Sequence, residues 1–102
     1  MPAVSILLPA RDEERYLPAA LDSIFRQTFT DWELVSVDDG SRDTTPAILA
    51  AAVRSDPRVR LLRPSSRGLT AALNAGLEAC RAPLIARMDA DDTCHETRLE
   101  LQ

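Results

Sequence analysis

Three carboxylates stand within four residues of one another, at Asp89, Asp91 and Asp92 in the stretch LIARMDADDTCH. Charges of the same sign repel at this spacing unless a positive group lies among them. Aspartate oxygens are the ligands that hard divalent cations such as Mg²⁺ and Mn²⁺ prefer. The pattern therefore predicts a divalent metal site.

Three further polar stretches each follow an apolar run: PARDEE begins at Pro9, DDGS at Asp38 and RPSSRG at Arg63. The first two are acidic and the third is basic. Arginine binds phosphate oxygens through its guanidinium group, and a bound metal bridges phosphate oxygens. If all four stretches meet in space, they form a site for a divalent cation bound to a diphosphate.

Four short apolar runs predict strands, and the first of them lacks polar alternation, as expected for a strand covered on both faces. They are Val4–Pro9, the WELVSVDDGS stretch that begins at Trp32, Val59–Leu62 and Leu84–Met88. Each of the three segments between them carries apolar residues at helical spacing. The predicted inner faces are Leu17, Ala20, Leu21, Ile24 and Phe25, then Ile48, Leu49, Ala52 and Val53, then Leu69, Ala72, Leu73, Leu77 and Cys80.

The second helix is predicted to begin with Thr45 as its N-cap, because Pro46 suits the position that follows. The resulting order is βαβαβαβ, which predicts a single α/β domain with an open, mostly parallel sheet and helices on both faces. Ligands bind outside the carboxyl ends of the strands in such sheets. All four polar stretches lie at these ends, so they are predicted to face one crevice.

The composition excludes several other functions. All twelve basic residues of the 102-residue chain are Arg, so it lacks the Lys of a P-loop or of a usual receiver domain. Its formal charge of −4 argues against binding to nucleic acid. Two cysteines are too few for a disulfide framework, and no apolar stretch is long enough to span a bilayer. A cytoplasmic location is expected.

The chain from Val4 to Gln102 resembles the N-terminal, nucleotide-sugar-binding half of the inverting family 2 glycosyltransferases of GT-A fold. The stretches that carry the resemblance are VSILLPARDEERYLPAALDSIFRQTF, DWELVSVDDGSRDTT, DPRVRLLR, RGLTAALNAGLEACRAPLIARMDADD and RLELQ. It implies a Rossmann-like sheet with strand order 3-2-1-4. Residues 1–102 then form the donor-binding half, and the acceptor half is absent.

The resemblance also implies how the donor is bound. Pro9 and Ala10 line the base pocket, and Asp39 accepts a hydrogen bond from a ring N–H, which suits uracil. Arg67, or Gly68 beside it, lies along the diphosphate. The expected donor is a UDP-sugar.

The DxD motif of the family corresponds to Asp89 and Asp91. Asp91 is the expected direct ligand of Mn²⁺ or Mg²⁺, with Asp89 closer to the ribose and Asp92 as a substitute. The chain departs from the family at Arg11 and Asp12, where an aromatic residue and Asn are common. Arg11 is nevertheless placed in the donor site.

Alternatives remain open at several positions. DDGS could be only a turn that leads into a helix, and Arg67 could be a solvated loop residue. Cys94 and His95 follow the DxD motif, but the further ligands that a zinc site needs are missing. A second function is a non-enzymatic acidic module, either cation-binding or receiver-like. The basic stretch RPSSRG favours the diphosphate site, because a pure cation site has no use for it.

The catalytic base of an inverting transfer is not assigned. In the family it is an Asp well beyond the DxD motif, and the sequence ends ten residues after Asp92. A donor-binding fragment without transfer activity is therefore expected, with membrane association only through missing parts. Apolar surface that the missing half normally covers favours a homodimer.

Overall fold

The computed structural model describes residues 2–65 and 68–90. Within them, four strands alternate with three helices: β1 Val4–Ala10, α1 Leu17–Phe25, β2 Trp32–Asp38, α2 Thr45–Ser55, β3 Val59–Leu62, α3 Leu69–Ala79 and β4 Leu84–Arg87. Neighbouring strands are parallel, and their order is β3-β2-β1-β4. The predicted fold class and strand order are confirmed.

Helices cover both faces of the sheet. On one face, Leu21 of α1 and Leu49 of α2 share an apolar cluster with Leu8 of β1 and Leu34 of β2. On the other face, α3 packs on alternate residues of the same two strands. No helix in residues 2–65 and 68–90 has the length and apolar character needed to cross a membrane.

Small residues form the surface of α3 that meets the sheet. Ala72 is fully buried, and a Cβ added at Gly76 would lie 2.1 Å from Leu7 Cδ1. Only glycine allows so close an approach of helix and sheet. Leu69 and Leu77, which were predicted on this surface, are 53% and 47% exposed. That prediction was wrong because the helix turns its smallest residues, rather than its largest, toward the strands.

Apolar residues in two other elements, α2 and β4, are exposed rather than buried. Val53 is 37% exposed and lies at the margin of the buried face of α2 that Leu49 and Ala52 define. In β4, Leu84 and Ile85 are 56% and 47% exposed. β4 is an edge strand, and α3 packs on the apolar residues of β1 and β2 instead.

The N-cap of α2 is Thr44, so the prediction of Thr45 was wrong by one residue. Thr45 N–H donates to Asp43 Oδ1 at 2.8 Å, and the Thr45 hydroxyl accepts Glu13 N–H at 2.9 Å. The hydroxyl therefore joins α2 to the loop after β1 and is not available to cap its own helix.

A buried carboxylate connects the strands to α3 at the opposite, amino edge of the sheet. Glu33 accepts hydrogen bonds from Ser5 Oγ at 2.5 Å, Arg81 N–H at 2.7 Å and Arg60 Nη1 at 3.3 Å. Arg60 also donates to the carbonyl of Ala79 at 2.6 Å, at the end of α3. Burial alone raises the pKa of Glu33, but the hydrogen bonds from Ser5, Arg81 and Arg60 outweigh it and hold the pKa below its usual value.

Candidate functional site

The parallel register brings the polar ends of three strands to one edge. β1 lies between β2 and β4, so DDGS and the start of MDADD flank the carboxyl end of β1. Ala10 pairs with Asp38, which places Arg11 beside Asp39 in the next position. Asp39 N–H donates to the Ala10 carbonyl at 2.8 Å. The predicted placement of DDGS and MDADD on either side of the carboxyl end of β1 is therefore confirmed for the described residues.

The two aspartates of DDGS have different surroundings. Asp38 is 3% exposed; its Oδ1 accepts Ser41 N–H at 3.2 Å, and its Oδ2 lies 3.6 Å from Arg63 Nε. The turn interpretation of DDGS thus applies to Asp38. Because both of its oxygens already have partners, Asp38 stabilises the turn and its junction with β3.

Asp39 instead faces the amino end of α3. Its Oδ1 accepts Gly68 N–H at 2.8 Å, and Gly68 has a φ of +105°, which L side chains rarely adopt. In the part of the chain that the structure describes, Gly68 is the residue that donates to this carboxylate. No donor to the second oxygen, Oδ2, is found among residues 2–65 and 68–90.

The loops after β1 and β2 hold each other through reciprocal hydrogen bonds. Asp12 N–H donates to Ser41 Oγ at 3.0 Å, while Asp12 Oδ1 accepts Arg42 N–H at 2.7 Å. Asp12 has a φ of +51°, and these two bonds hold it there. Glu14 Oε2 accepts Thr44 N–H at 3.1 Å in the same way. The two loops thus form one connected surface beside Asp39.

A polar cavity of about 380 Å³ opens on this surface and is lined by Arg11, Gly40, Ser41 and Arg42. Of these residues, Arg11 was predicted from the sequence to belong to the donor site, whereas Ser41 and Arg42 were not. The sequence did contain an indication of their role, because Ser41 and Arg42 directly follow DDG. Their position opposite Arg11 depends on the contact between two loops, which sequence spacing does not reveal.

Pro9 and Ala10, predicted to line the base pocket, are both buried. The Ala10 side chain belongs to the apolar cluster under α1 and α2. Its carbonyl is bound by Asp39 N–H. A role for either residue in contacting a base stays a prediction.

Asp89 lies on the opposite side of β1. Met88 and Ala90, which flank it, are buried in the cluster under α1 and α2, whereas the Asp89 side chain is 54% exposed. Its Oδ1 lies 3.3 Å from Arg87 Nη2. An exposed carboxylate of this kind fits the oxygen chemistry that Mg²⁺ and Mn²⁺ require.

The predicted site residues Arg67 and Asp91 fall outside the described residues. So do Asp92, the possible substitute ligand, and Cys94 and His95, which were considered as extra ligands. Across residues 2–65 and 68–90, no group of three His, Cys, Asp or Glu side chains is arranged to hold a metal ion. The predicted ligand pair Asp89 and Asp91 is therefore represented by Asp89 alone.

Comparison with known sequences identifies relatives over the whole length of the chain. The profile of Glycosyl transferase family 2 matches residues 5–102. The chondroitin synthase of Escherichia coli is 36% identical over 101 residues, which cover 99% of this chain and 15% of that protein. The chain thus spans a small part of this relative.

Solved structures give the same result. TarS 1-349 of S. aureus is 25% identical with a TM-score of 0.88, over 98% of this chain and 30% of that one. Mannosyltransferase PcManGT of Pyrobaculum calidifontis, in complex with GDP-Man and Mn²⁺, is 28% identical with a TM-score of 0.82, over 90% and 28%. Glucosyl-3-phosphoglycerate synthase of Mycobacterium tuberculosis, in complex with UDP, is 26% identical with a TM-score of 0.72, over 89% and 34%.

These similarities agree with the geometry of the sheet and with the motifs at its carboxyl edge. The GT-A type of fold, with its Rossmann-like parallel sheet, is confirmed. The chain belongs to Glycosyl transferase family 2.

Proposed function

We propose that this chain binds the nucleoside diphosphate of a sugar donor, with UDP-sugars favoured, as the donor half of an inverting, metal-dependent glycosyltransferase. The observation that carries the proposal is the position of Asp39. Its carboxylate, at the carboxyl edge of the sheet, accepts Gly68 N–H at 2.8 Å through one oxygen, and no described residue donates to the other.

The base is proposed to lie against Asp39. Uracil has one ring N–H between two carbonyl oxygens, so the free oxygen of Asp39 pairs with the ring N–H. Asp89 lies across the end of β1 from Asp39, because β1 is the strand that separates them, and the donor is proposed to extend from one to the other. The relatives with bound UDP or GDP-Man support a nucleotide sugar as the ligand of this edge.

The diphosphate is proposed to lie between Gly68 and Asp89. Arg67, which precedes Gly68, supplies positive charge there, and the carboxylates of Asp89 and Asp91 hold Mn²⁺ or Mg²⁺. A bound cation would neutralise the charge that develops on the departing diphosphate. The Mn²⁺ present with GDP-Man in the mannosyltransferase supports this part of the proposal.

The second candidate is an acidic module that binds cations without nucleotide. The polar cavity beside Asp39 argues against it, since two of its four lining residues are arginines, which repel cations. The two candidates differ in what they bind, so a binding experiment separates them.

Calorimetric titration of UDP is expected to give saturable binding in Mn²⁺ and binding weaker by about tenfold or more in EDTA, because cation-bridged phosphate contacts are lost. Asp91→Ala should reduce the Mn²⁺ effect. Asp22→Ala, which alters an exposed residue of α1, is the control and should leave it unchanged. Binding of Mn²⁺ that UDP does not affect would favour the acidic module instead.

A further inference from the structure

Two arginines at the carboxyl edge form no ion pair with an acidic side chain among the described residues. Arg11 and Arg42 line the cavity of about 380 Å³ beside Asp39. Within residues 2–65 and 68–90, six ion pairs occur between Arg and acidic side chains, and neither arginine takes part in them. Both guanidinium groups are therefore available to a ligand.

The acidic residues nearby are already used. Asp12 Oδ1 accepts Arg42 N–H at 2.7 Å, and Glu14 Oε2 accepts both the N–H and the hydroxyl of Thr44. Asp43 accepts Glu14 N–H at 3.2 Å and Thr45 N–H at 2.8 Å. Asp12 and Glu14 thus bind the backbone of the opposite loop, and Asp43 binds the backbone of both loops, rather than the side chains of Arg11 and Arg42.

A guanidinium group donates up to five hydrogen bonds and accepts none. The cavity is therefore lined by strong donors, and the ligand that fits it must present acceptors. Asp39, one residue before Gly40 of the cavity wall, offers the opposite property, a single free acceptor oxygen. The combined surface suits a ring with one N–H donor flanked by carbonyl acceptors.

We infer that Arg11 and Arg42 determine which base the donor carries, by donating hydrogen bonds to the ring carbonyls of uracil while Asp39 accepts from its N3–H. This inference rests on the proposed function and names the base-reading residues of that same site. Thymine offers the same edge.

Other bases match this surface less well. Cytosine has an acceptor at N3, which faces the Asp39 carboxylate unfavourably, and an amino donor where the arginines need an acceptor. Guanine presents two neighbouring N–H donors that need both carboxylate oxygens, and Gly68 already occupies one. The expected order of affinity is UDP and dTDP first, then GDP, then CDP.

The test uses calorimetry on the protein in Mn²⁺ at fixed ionic strength, with UDP, uridine and inorganic pyrophosphate as separate probes. Arg11→Ala is expected to weaken UDP and uridine binding by about tenfold, and Arg42→Ala by about three- to tenfold, because each removes a charged hydrogen bond. Pyrophosphate binding should not change. Arg54→Ala, on the exposed last turn of α2, is the matched control.

Both substitutions should leave the fold intact, because the Arg42 contact to Asp12 is made by the backbone and the Arg11 side chain makes no hydrogen bond to any described residue. Equal losses for UDP and pyrophosphate would place the arginines on the phosphates and overturn the inference. Unchanged UDP affinity in both variants would also overturn it, and either result leaves the proposed function standing. A wild-type protein that binds no UDP would overturn both.

Discussion

Asp39→Asn is expected to weaken UDP binding by about 10- to 100-fold. The Asn side chain can still accept Gly68 N–H through Oδ1, as Asp39 does at 2.8 Å, so the junction with α3 is preserved. The other oxygen becomes an NH₂ group, which faces the ring N–H of uracil donor to donor. Losing a charged hydrogen bond costs about 1.5–3 kcal/mol, and each 1.4 kcal/mol is about tenfold in affinity.

The same substitution should raise the affinity for CDP relative to UDP, since N3 of cytosine accepts a hydrogen bond. Affinities for the two nucleotides are measured by calorimetry in Mn²⁺, with Asp22→Asn on the exposed side of α1 as the control. If Asp39→Asn bound UDP as tightly as the wild type, Asp39 would not contact the base. A loss for UDP and CDP alike would indicate a general role in shaping the site.

Glu33→Ala should lower the free energy of unfolding by about 2–4 kcal/mol. The Glu33 carboxylate is 3% exposed, and its removal leaves the hydroxyl of Ser5 and two arginines without their acceptor. Breaking a buried ion pair costs about 3–5 kcal/mol. The expected loss in the free energy of unfolding is smaller than this, because the Arg60 and Arg81 side chains are 33% and 61% exposed and water replaces part of the interaction.

The contribution of Glu33 should also depend on pH. Its folded-state pKa lies below the ordinary value, so its stabilising effect is complete above the unfolded pKa of about 4.3 and is lost as the pH falls through the folded pKa. Urea unfolding at pH 7 and at pH 3 measures both effects. Glu78→Ala, an exposed position on α3, should change stability by less than about 0.5 kcal/mol. Equal destabilisation by Glu33→Ala and Glu78→Ala at pH 7 would show that the buried network adds nothing.

The strand order and the position of the site could be predicted because they depend on patterns that extend over many residues. Apolar runs separated by helical segments define a parallel sheet, and a parallel sheet brings its carboxyl ends together. That reasoning placed Asp39 and Asp89 on either side of β1. It did not depend on the contacts of any single side chain.

Details that depend on contacts between distant segments could not be predicted. Asp38 and Asp39 are the same residue type in adjacent positions, and only the approach of Arg63 and Gly68 distinguishes them. Leu77 fits an apolar helical stripe, but the close approach at Gly76 turns α3 so that Leu77 is 47% exposed. Helical spacing shows which residues share a face of the helix, whereas the closeness of the helix to the sheet decides which face is buried.

The pairing of the loops after β1 and β2 illustrates the same limit. Asp12 and Glu14 read as part of an acidic stretch suited to a metal, and the structure uses them to bind the backbone at Arg42 and Thr44. The number of acidic residues in the sequence therefore overstates how many carboxylates are left to bind a ligand at this edge. The arginines that remain free give the cavity a character that the composition of PARDEE alone does not indicate.

A nucleoside diphosphate is expected to bind at the carboxyl edge of the sheet, between the loops after β1 and β2 and the start of α3. Titration of ¹⁵N-labelled protein with UDP, using Mg²⁺ in place of paramagnetic Mn²⁺, locates the bound nucleotide through the amide chemical shifts. The largest shifts are expected at Asp39, Gly40 and Gly68, with little change at Trp32 and Arg58, which line a cavity of about 290 Å³ at the amino edge. Shifts concentrated at Trp32 and Arg58, with Asp39 and Gly68 unmoved, would contradict the account.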